Sequence, residues 1–538
     1  MDEESYTDEE ELQIYNIKHY EELPEITLSA SDGTSHKESS VPVLKQRSFT
    51  GRVLPSTTAD IPCAVLGIHG MMERLNSPVR TPGSPLYRAC EYFVGENYDL
   101  GTAYAHLRRY PYNFNIDRHV TARKSDEKRR QDLVEHRKIK NAPPRRVWDL
   151  YANRVVPYWV AIKFPWAMSH AWVADTDLKR VMTPINGYEW PVPMPKDADL
   201  DLIRIEMLNL GAEYVWLDVL CLRQEGRGED PRFAISQGEW DQREALRKEE
   251  WKVDVPTIGW VYPLSTHVVC YLSGLGLPLS FKTARDFEDD RCWFNRAWTL
   301  QEISDDMLIA GKTCNDDSMV ASGSRMRKST KPVDKITGLV CLFDSKHIPI
   351  YDASQSEEDA WTELVNVAPE WIRAHLFFLY PKPGNVNKTW RPSWQQVMEE
   401  TLPNPQRPFA FLPPRVCRTK NDGDSCCGPR IDRCTVRGLA DATENSRYGE
   451  LDINNGRVES TFKIVADHAY AIDDGQYTLI GAQDHFAPSC TVNTWVIGRT
   501  EEPKEKFRKV SVIRMADCQE AERFERLRIY RRTETFLF

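Results

Sequence analysis

The chain has 538 residues, 41% of them apolar and 28% charged, with a formal net charge of −10. This is the composition of a globular protein of several domains, and its net negative charge does not favour the phosphate backbone, so no nucleic-acid partner is expected. No apolar run reaches the roughly 18 residues of a membrane-crossing helix, so no membrane span is expected. The opening MDEESYTDEEE is acidic and lacks the basic and apolar regions of a signal peptide, which predicts a cytoplasmic location. Thirteen cysteines, thinly spread and odd in number, are expected to be reduced there.

Residues 1–60 are rich in acid, serine and threonine and predict a disordered acidic arm. In the region 61–150 one element is legible. RKSDEKRRQDLVEHRKIK, 123–140, interleaves charges of both signs and reads as a solvated helix, ended by Pro143 and Pro144, in preference to a basic patch for nucleic acid. WVAIKF and WAMSHAW predict buried strands. Leu200, Ile203, Met207 and Leu210 recur at helical spacing, with Gly211 closing the helix. YVWLDVLCL predicts a central strand buried on both faces. A polar insertion covers 225–239, and EEWKVDVPTIGWVY predicts a helix in which Pro256 marks a start or a kink. HVVCYL reads as a strand, CWFNRAWTLQEIS as a helix and MLIAG as a strand.

Strands alternating with helices in this way predict an α/β domain, a parallel sheet flanked by helices, over 151–315. It carries neither G-x-G-x-x-G nor a P-loop, so no conventional nucleotide fold is supported. Residues 316–400 predict a serine-rich linker and then a mainly helical extension, with Trp361, Leu364 and Val365 on one face. The alternating runs STFKIVA, YTLIGA and TVNTWVIG predict a β-rich region over 401–538.

Cys417, Cys426, Cys427 and Cys434 lack the paired two-residue gaps of a zinc site, so no metal is expected. Cys221 and Cys292 read as buried thiols. His170, Asp218 and Gln224 fall at the carboxyl ends of predicted strands, where doubly wound sheets bind ligands. Asp218 interrupts an apolar run and therefore needs a partner or water. Phe294, Trp298 and Glu302 are spaced i, i+4, i+8 on one helix face. A carboxylate among aromatics is partly desolvated, which raises its pKa and suits it to acid–base or cation-stabilising work. The same residue also reads as a helix-edge glutamate paired with Arg296.

The ordered motifs MSHAW (168–172), EYVWLDVLCLRQ (213–224), VDVPTIGWVYPLSTHVVCYLSG (253–274) and WFNRAWTLQE (293–302) resemble the HET (heterokaryon incompatibility) domain of filamentous fungi. That family is distantly similar to TIR domains, which implies a flavodoxin-like α/β fold. It also implies a role in fungal allorecognition and programmed cell death. Many TIR domains hydrolyse NAD at the nicotinamide–ribose bond through a glutamate in a W-C-x-x-E pattern. Trp298-Thr299-Leu300-Gln301-Glu302 is similar to it, which implies Glu302 as the catalytic residue. The resemblance further implies Ser169, His170, Trp172, Asp218, Gln224, Arg296 and Trp298 around the substrate, with Arg296 on phosphate. NAD would be substrate rather than cofactor, and no cofactor is required. Self-assembly on activation and an unidentified protein partner are implied as well. The chain departs from the family at His170, Val173 and Arg223, where tyrosine, glycine and asparagine are usual. The alternative is a signalling or assembly module without enzymatic activity, in which Trp216, Trp293 and Trp298 pack the sheet and Glu302 is a capping or ion-paired residue.

Overall fold

The apolar runs WAMSH, YVW, VVCY and MLI lie side by side in one sheet in the computed structural model of the chain. The structure describes residues 23–29, 48–76, 82–109, 115–136, 142–161, 163–226, 231–279, 292–293, 302, 307–311, 333–340, 343, 347, 349–385, 388–399, 415–419, 423–440, 446–454, 459–481, 494–501, 505–527 and 529–538. These belong to two compact units, Met1–Leu342 with Ile348–Ser354, and Phe343–His347 with Gln355–Phe538.

The first unit opens with an antiparallel hairpin of β1 (Ile26–Ser29) and β2 (Ser48–Gly51). The expectation of a disordered arm over 1–60 is corrected for these residues. Ile26, Leu28 and Phe49 pack on the core of the sheet, and Leu54 is buried. The segment was too poor in apolar residues to fold alone, but it folds on a surface supplied by the rest of the unit. Helices Cys63–Arg74, Pro85–Gly95 and Leu100–Arg109 follow and bury Met71, Phe93 and Leu107 in a second core shared with Val147, Val156 and Tyr214. The charged segment forms the helix Ile116–His136. Its Arg130 reaches back to the carbonyls of Pro143 and Pro144, at 3.1 and 2.9 Å.

The sheet is built from β3 (Arg146–Asp149), β4 (Arg154–Pro157), β5 (Trp166–His170), β8 (Tyr214–Trp216), β9 (Val268–Tyr271) and β10 (Met307–Ile309), in the order β10-β9-β5-β8-β3-β4. A separate antiparallel hairpin, β6 (Leu178–Val181) and β7 (Val192–Pro195), is inserted after β5. The four strands β10, β9, β5 and β8 are mutually parallel, while β3 and β4 add an antiparallel hairpin at one edge. The sheet is therefore mixed, and a domain boundary at 150/151 would fall inside the β3–β4 hairpin. The hairpin turn uses Asn153 at φ 54, a conformation asparagine tolerates, with its side chain accepting from Trp148 Nε1 at 3.1 Å. The described residues of WVAIKF, 159–161 and 163–164, form no strand. Tyr158–Val160 is a 3₁₀ turn whose carbonyls at Trp159 and Ala161 are held by Arg109.

The helix Leu200–Asn209 is capped by Asp199 and closed by Gly211 at φ +95, as its spacing predicts. Its buried Glu206 accepts from Tyr271 Oη and from the Gly311 N–H, fastening the helix to the ends of β9 and β10. The strand expected over YVWLDVLCL stops at Trp216, and Asp218–Cys221 is a helical turn. Pro256 lies in a break between two helices, Gln237–Asp254 and Ile258–Leu264. The helix expected over CWFNRAWTLQEIS and the linker around 318–329 lie outside the described residues, apart from Cys292, Trp293 and Glu302.

The second unit joins the expected helical and β-rich regions in one body. Helices Glu357–Val367, Glu370–Leu379 and Trp394–Glu399 precede β11 (Arg415–Arg418), β12 (Asp424–Arg437), β13 (Arg447–Asn454), β14 (Glu459–Ala466), β15 (Gly475–Gly481), β16 (Thr494–Glu501), β17 (Lys506–Met515) and β18 (Arg531–Leu537). Six strands close into an antiparallel ring, β12-β13-β14-β17-β16-β15 and back to β12. Closure removes the exposed edges that would otherwise template aggregation. Phe462, Trp495 and Phe524 meet in its core at ring separations of 5.0 and 5.1 Å.

Asp424, at the start of β12, holds the buried Arg373 together with Lys388 Nζ at 2.8 Å and Trp390 Nε1 at 3.0 Å. Asp424→Ala leaves the Arg373 guanidinium buried without its counter-charge. It is expected to destabilise this unit by about 3–5 kcal/mol, read from urea unfolding of the full chain.

Candidate functional site

Strands β5 and β9 pair in parallel with Ser169 opposite Cys270 and His170 opposite Tyr271. The connection from β5 runs to β8 on one side, and that from the neighbouring β9 runs to β10 on the other. Such a reversal opens a crevice at the carboxyl ends of the strands. A cavity of about 430 Å³ lies here, bordered by His170, Trp172, Trp216, Asp218, Tyr262 and Glu302.

Glu302 is buried, although it lies 133 residues from its partner Ser169, whose hydroxyl donates to Glu302 Oε2. Ser169 Oγ in turn accepts from the indole N–H of Trp293, and the Trp293 backbone N–H is anchored on the Leu272 carbonyl at 3.0 Å, just past β9. The Tyr262 hydroxyl also hydrogen-bonds the carboxyl. Burial pushes Glu302 up to about 7; the Ser169 hydroxyl opposes that shift and the charge of Asp218 adds to it.

Beside it, His170 Nε2 meets Asp218 Oδ1 at 2.7 Å, and His170 Nδ1 lies 3.3 Å from the Ala171 carbonyl. Both ring nitrogens face acceptors, the arrangement of an imidazolium. Burial depresses the imidazole, but the charge and hydrogen bond of Asp218, the Ala171 carbonyl and the Glu302 charge together outweigh it, and the pKa is raised. Asp218 is itself held below its ordinary value: burial works against it, and His170, the Trp172 N–H at 2.9 Å and the Val219 N–H at 2.7 Å overcome that. The aspartate inside the apolar run thus has three donors. Asp218→Asn removes the counter-charge, so the His170 pKa is expected to fall from above the free imidazole value to below it in a histidine-selective NMR titration.

Gln224 lines the same cavity and donates from Nε2 to the carbonyls of Asp218 and Leu222, each at 3.0 Å. Arg223 does not line it. It stacks on Trp190 at 4.8 Å and pairs with Glu189 at 2.6 Å. Arg296 and Trp298 lie outside the described residues. The structure therefore gathers Ser169, His170, Trp172, Asp218, Gln224 and Glu302 around one crevice. Sequence reading took Trp293 only as core and gave no role to Tyr262 or to Arg180, which also belongs to the lining. Tyr262 and Trp293 did stand inside the motifs GWVYPL and WFNRAW; Arg180 had no signal.

Among the described residues no group of three or more His, Cys, Asp or Glu could hold a metal ion. Cys426 is buried and Cys427 exposed on β12. No helix among the described residues is long and apolar enough to cross a membrane. No family model, curated protein or solved structure matches the chain.

The crevice joins a carboxyl poised near neutrality to a His–Asp pair in an aromatic setting. Chemically, it can stabilise a developing cation and take up a proton at pH 7.

Proposed function

We propose that the chain is a HET-domain, TIR-like protein of fungal allorecognition and programmed cell death, whose first unit cleaves the nicotinamide–ribose bond of NAD. The observation that carries the reading is Glu302, a buried carboxyl at the β5–β9 crevice opening on a cavity of about 430 Å³. Numbered by order of appearance along the chain, the parallel strands β8, β5, β9 and β10 run 2-1-3-4. That is the flavodoxin-like order without its fifth strand, which supports the TIR-like fold.

The chemistry follows from the site. The ribose C1′–nitrogen bond breaks, its electron pair goes to the pyridinium ring, and nicotinamide leaves neutral, so the leaving group needs no proton. The positive charge moves to the ribose, where a carboxylate at Glu302 stabilises it. Water then attacks C1′ and gives up one proton, which a carboxyl with a pKa near 7 can accept. The products are ADP-ribose, nicotinamide and a proton. The Trp172 and Trp216 rings offer apolar faces for the nicotinamide.

The test is nicotinamide release by purified full-length protein at high concentration, where any self-assembly is satisfied. Release is expected from the wild type and not from Glu302→Gln. Intact NAD under these conditions would leave the domain as a non-enzymatic recognition or assembly module.

A further inference from the structure

The same cavity has a second end, chemically unlike the first. Arg180, on β6, is the single lysine or arginine among its described lining residues. Its stem lies across Gly226. At Gly226, where φ is +104, a Cβ would come within 3.1 Å of Arg180 Nε, so the missing side chain makes room for the guanidinium. The acids nearby are already engaged. Glu225 is 3.1 Å from Arg247, and Asp334 accepts from the Tyr351 hydroxyl at 2.8 Å. Asp175 is 3.7 Å from Arg180, but its side chain is 87% exposed. A loose pair in water is weak and readily exchanged for a better anion. Trp251 and Tyr351 line the cavity as well, with ring centroids 5.9 Å apart, and the charge of Glu225, next to Gly226, acts on Tyr351. Gln224, bonded to the Asp218 carbonyl, links it to the His170–Asp218 end.

We propose that the Arg180 end of the cavity is a diphosphate subsite for a nucleoside diphosphate group, with Arg180 as its charge partner and the Trp251–Tyr351 pair beside the base. A planar guanidinium matches phosphate oxygens two at a time, and aromatic faces take a purine without reading its edge. The assignment rests on the Glu302 reading for which end holds the nicotinamide ribose, but the binding site itself does not require turnover. It also gives the phosphate contact a residue different from Arg296.

The experiment is calorimetric titration of the full chain with ADP-ribose and with adenosine, for wild type, Arg180→Gln and Arg180→Lys, with thermal melting to establish that each variant folds. The wild type is expected to bind ADP-ribose. Arg180→Gln is expected to weaken that binding roughly ten- to hundredfold, with adenosine unaffected and Arg180→Lys intermediate. In NAD turnover the same factor is expected in KM with kcat little changed. Equal ADP-ribose affinity in wild type and Arg180→Gln overturns the assignment, as does a wild type that binds no ADP-ribose at millimolar concentration. A wild type that binds ADP-ribose through Arg180 but leaves NAD intact overturns the Glu302 reading and upholds the subsite.

Discussion

Glu302→Gln is expected to lower NAD cleavage by about a thousandfold while making the protein more stable above pH 7. The two effects share one cause. The carboxyl is buried, and burial raises its pKa from the ordinary 4.5 to about 7. Between those values the native state holds a proton that the unfolded chain has released. Stability is therefore fully present below 4.5 and is lost as pH rises through 7, by about 3 kcal/mol in all. Glutamine does not titrate, so the variant escapes that loss. It also has no charge to set against an oxocarbenium-like ribose. The wild-type rate at limiting NAD is expected to rise with pH through about 7, as the carboxylate forms, and then to level. Residual activity in Glu302→Gln is expected to lack that limb. Two measurements decide the matter, nicotinamide release and urea unfolding, each across pH 5–8. A variant that keeps wild-type turnover removes Glu302 from the chemistry. A variant no more stable than the wild type at pH 8 means that the site tolerates the charge.

The second large effect lies away from the crevice. His106 and His119 are buried with ring centroids 4.7 Å apart, among Phe93, Tyr98, Tyr92 and Trp159. Burial pulls His106 down to about 3, with His119 adding to the shift; burial and then Arg123 pull His119 down to about 4. The unfolded chain takes up protons near 6.5, where the native state does not. Stability is therefore present above 6.5 and lost as pH falls toward 4, by roughly 3 kcal/mol for each ring. Against the roughly 5–15 kcal/mol of an ordinary domain, that is enough to unfold this helical region. Urea midpoints at pH 7 and pH 4.5, followed by tryptophan fluorescence, are expected to show it. A His106→Phe, His119→Phe double variant is expected to flatten the acid side of the curve. The Glu302 effect runs the other way between 4.5 and 6.5, so Glu302→Gln isolates the histidine contribution.

Local signals were legible where one segment carries its own pattern. Leu200–Asn209 was readable from its period and from Gly211, β5, β9 and β10 from short apolar runs, and the C-terminal strands from alternation. The errors share a cause. YVWLDVLCL is apolar apart from Asp218, and a short apolar run does not distinguish a buried strand from a buried helical turn. WVAIKF looks like a strand, but Arg109 from a distant helix holds its carbonyls in a turn. The β3–β4 hairpin turned on a single asparagine at positive φ, between residues whose pattern said nothing of pairing.

By itself the sequence determined which segments prefer helix or strand, and it placed His170, Asp218 and Glu302 on motifs worth weighing together. Those are properties of a window of residues: periodicity, caps and breakers. Tertiary structure alone decided strand order, the antiparallel edge, the closed ring of the second unit and the seating of Arg180 over Gly226. It also decided the property on which Glu302 depends. Desolvation is set by which distant groups displace water from a side chain, and here those groups are Ser169 on β5, Trp293 after β9 and Tyr262 on the helix Ile258–Leu264. No local stretch of the chain carries that information, because the groups that exclude the water come from three separate elements.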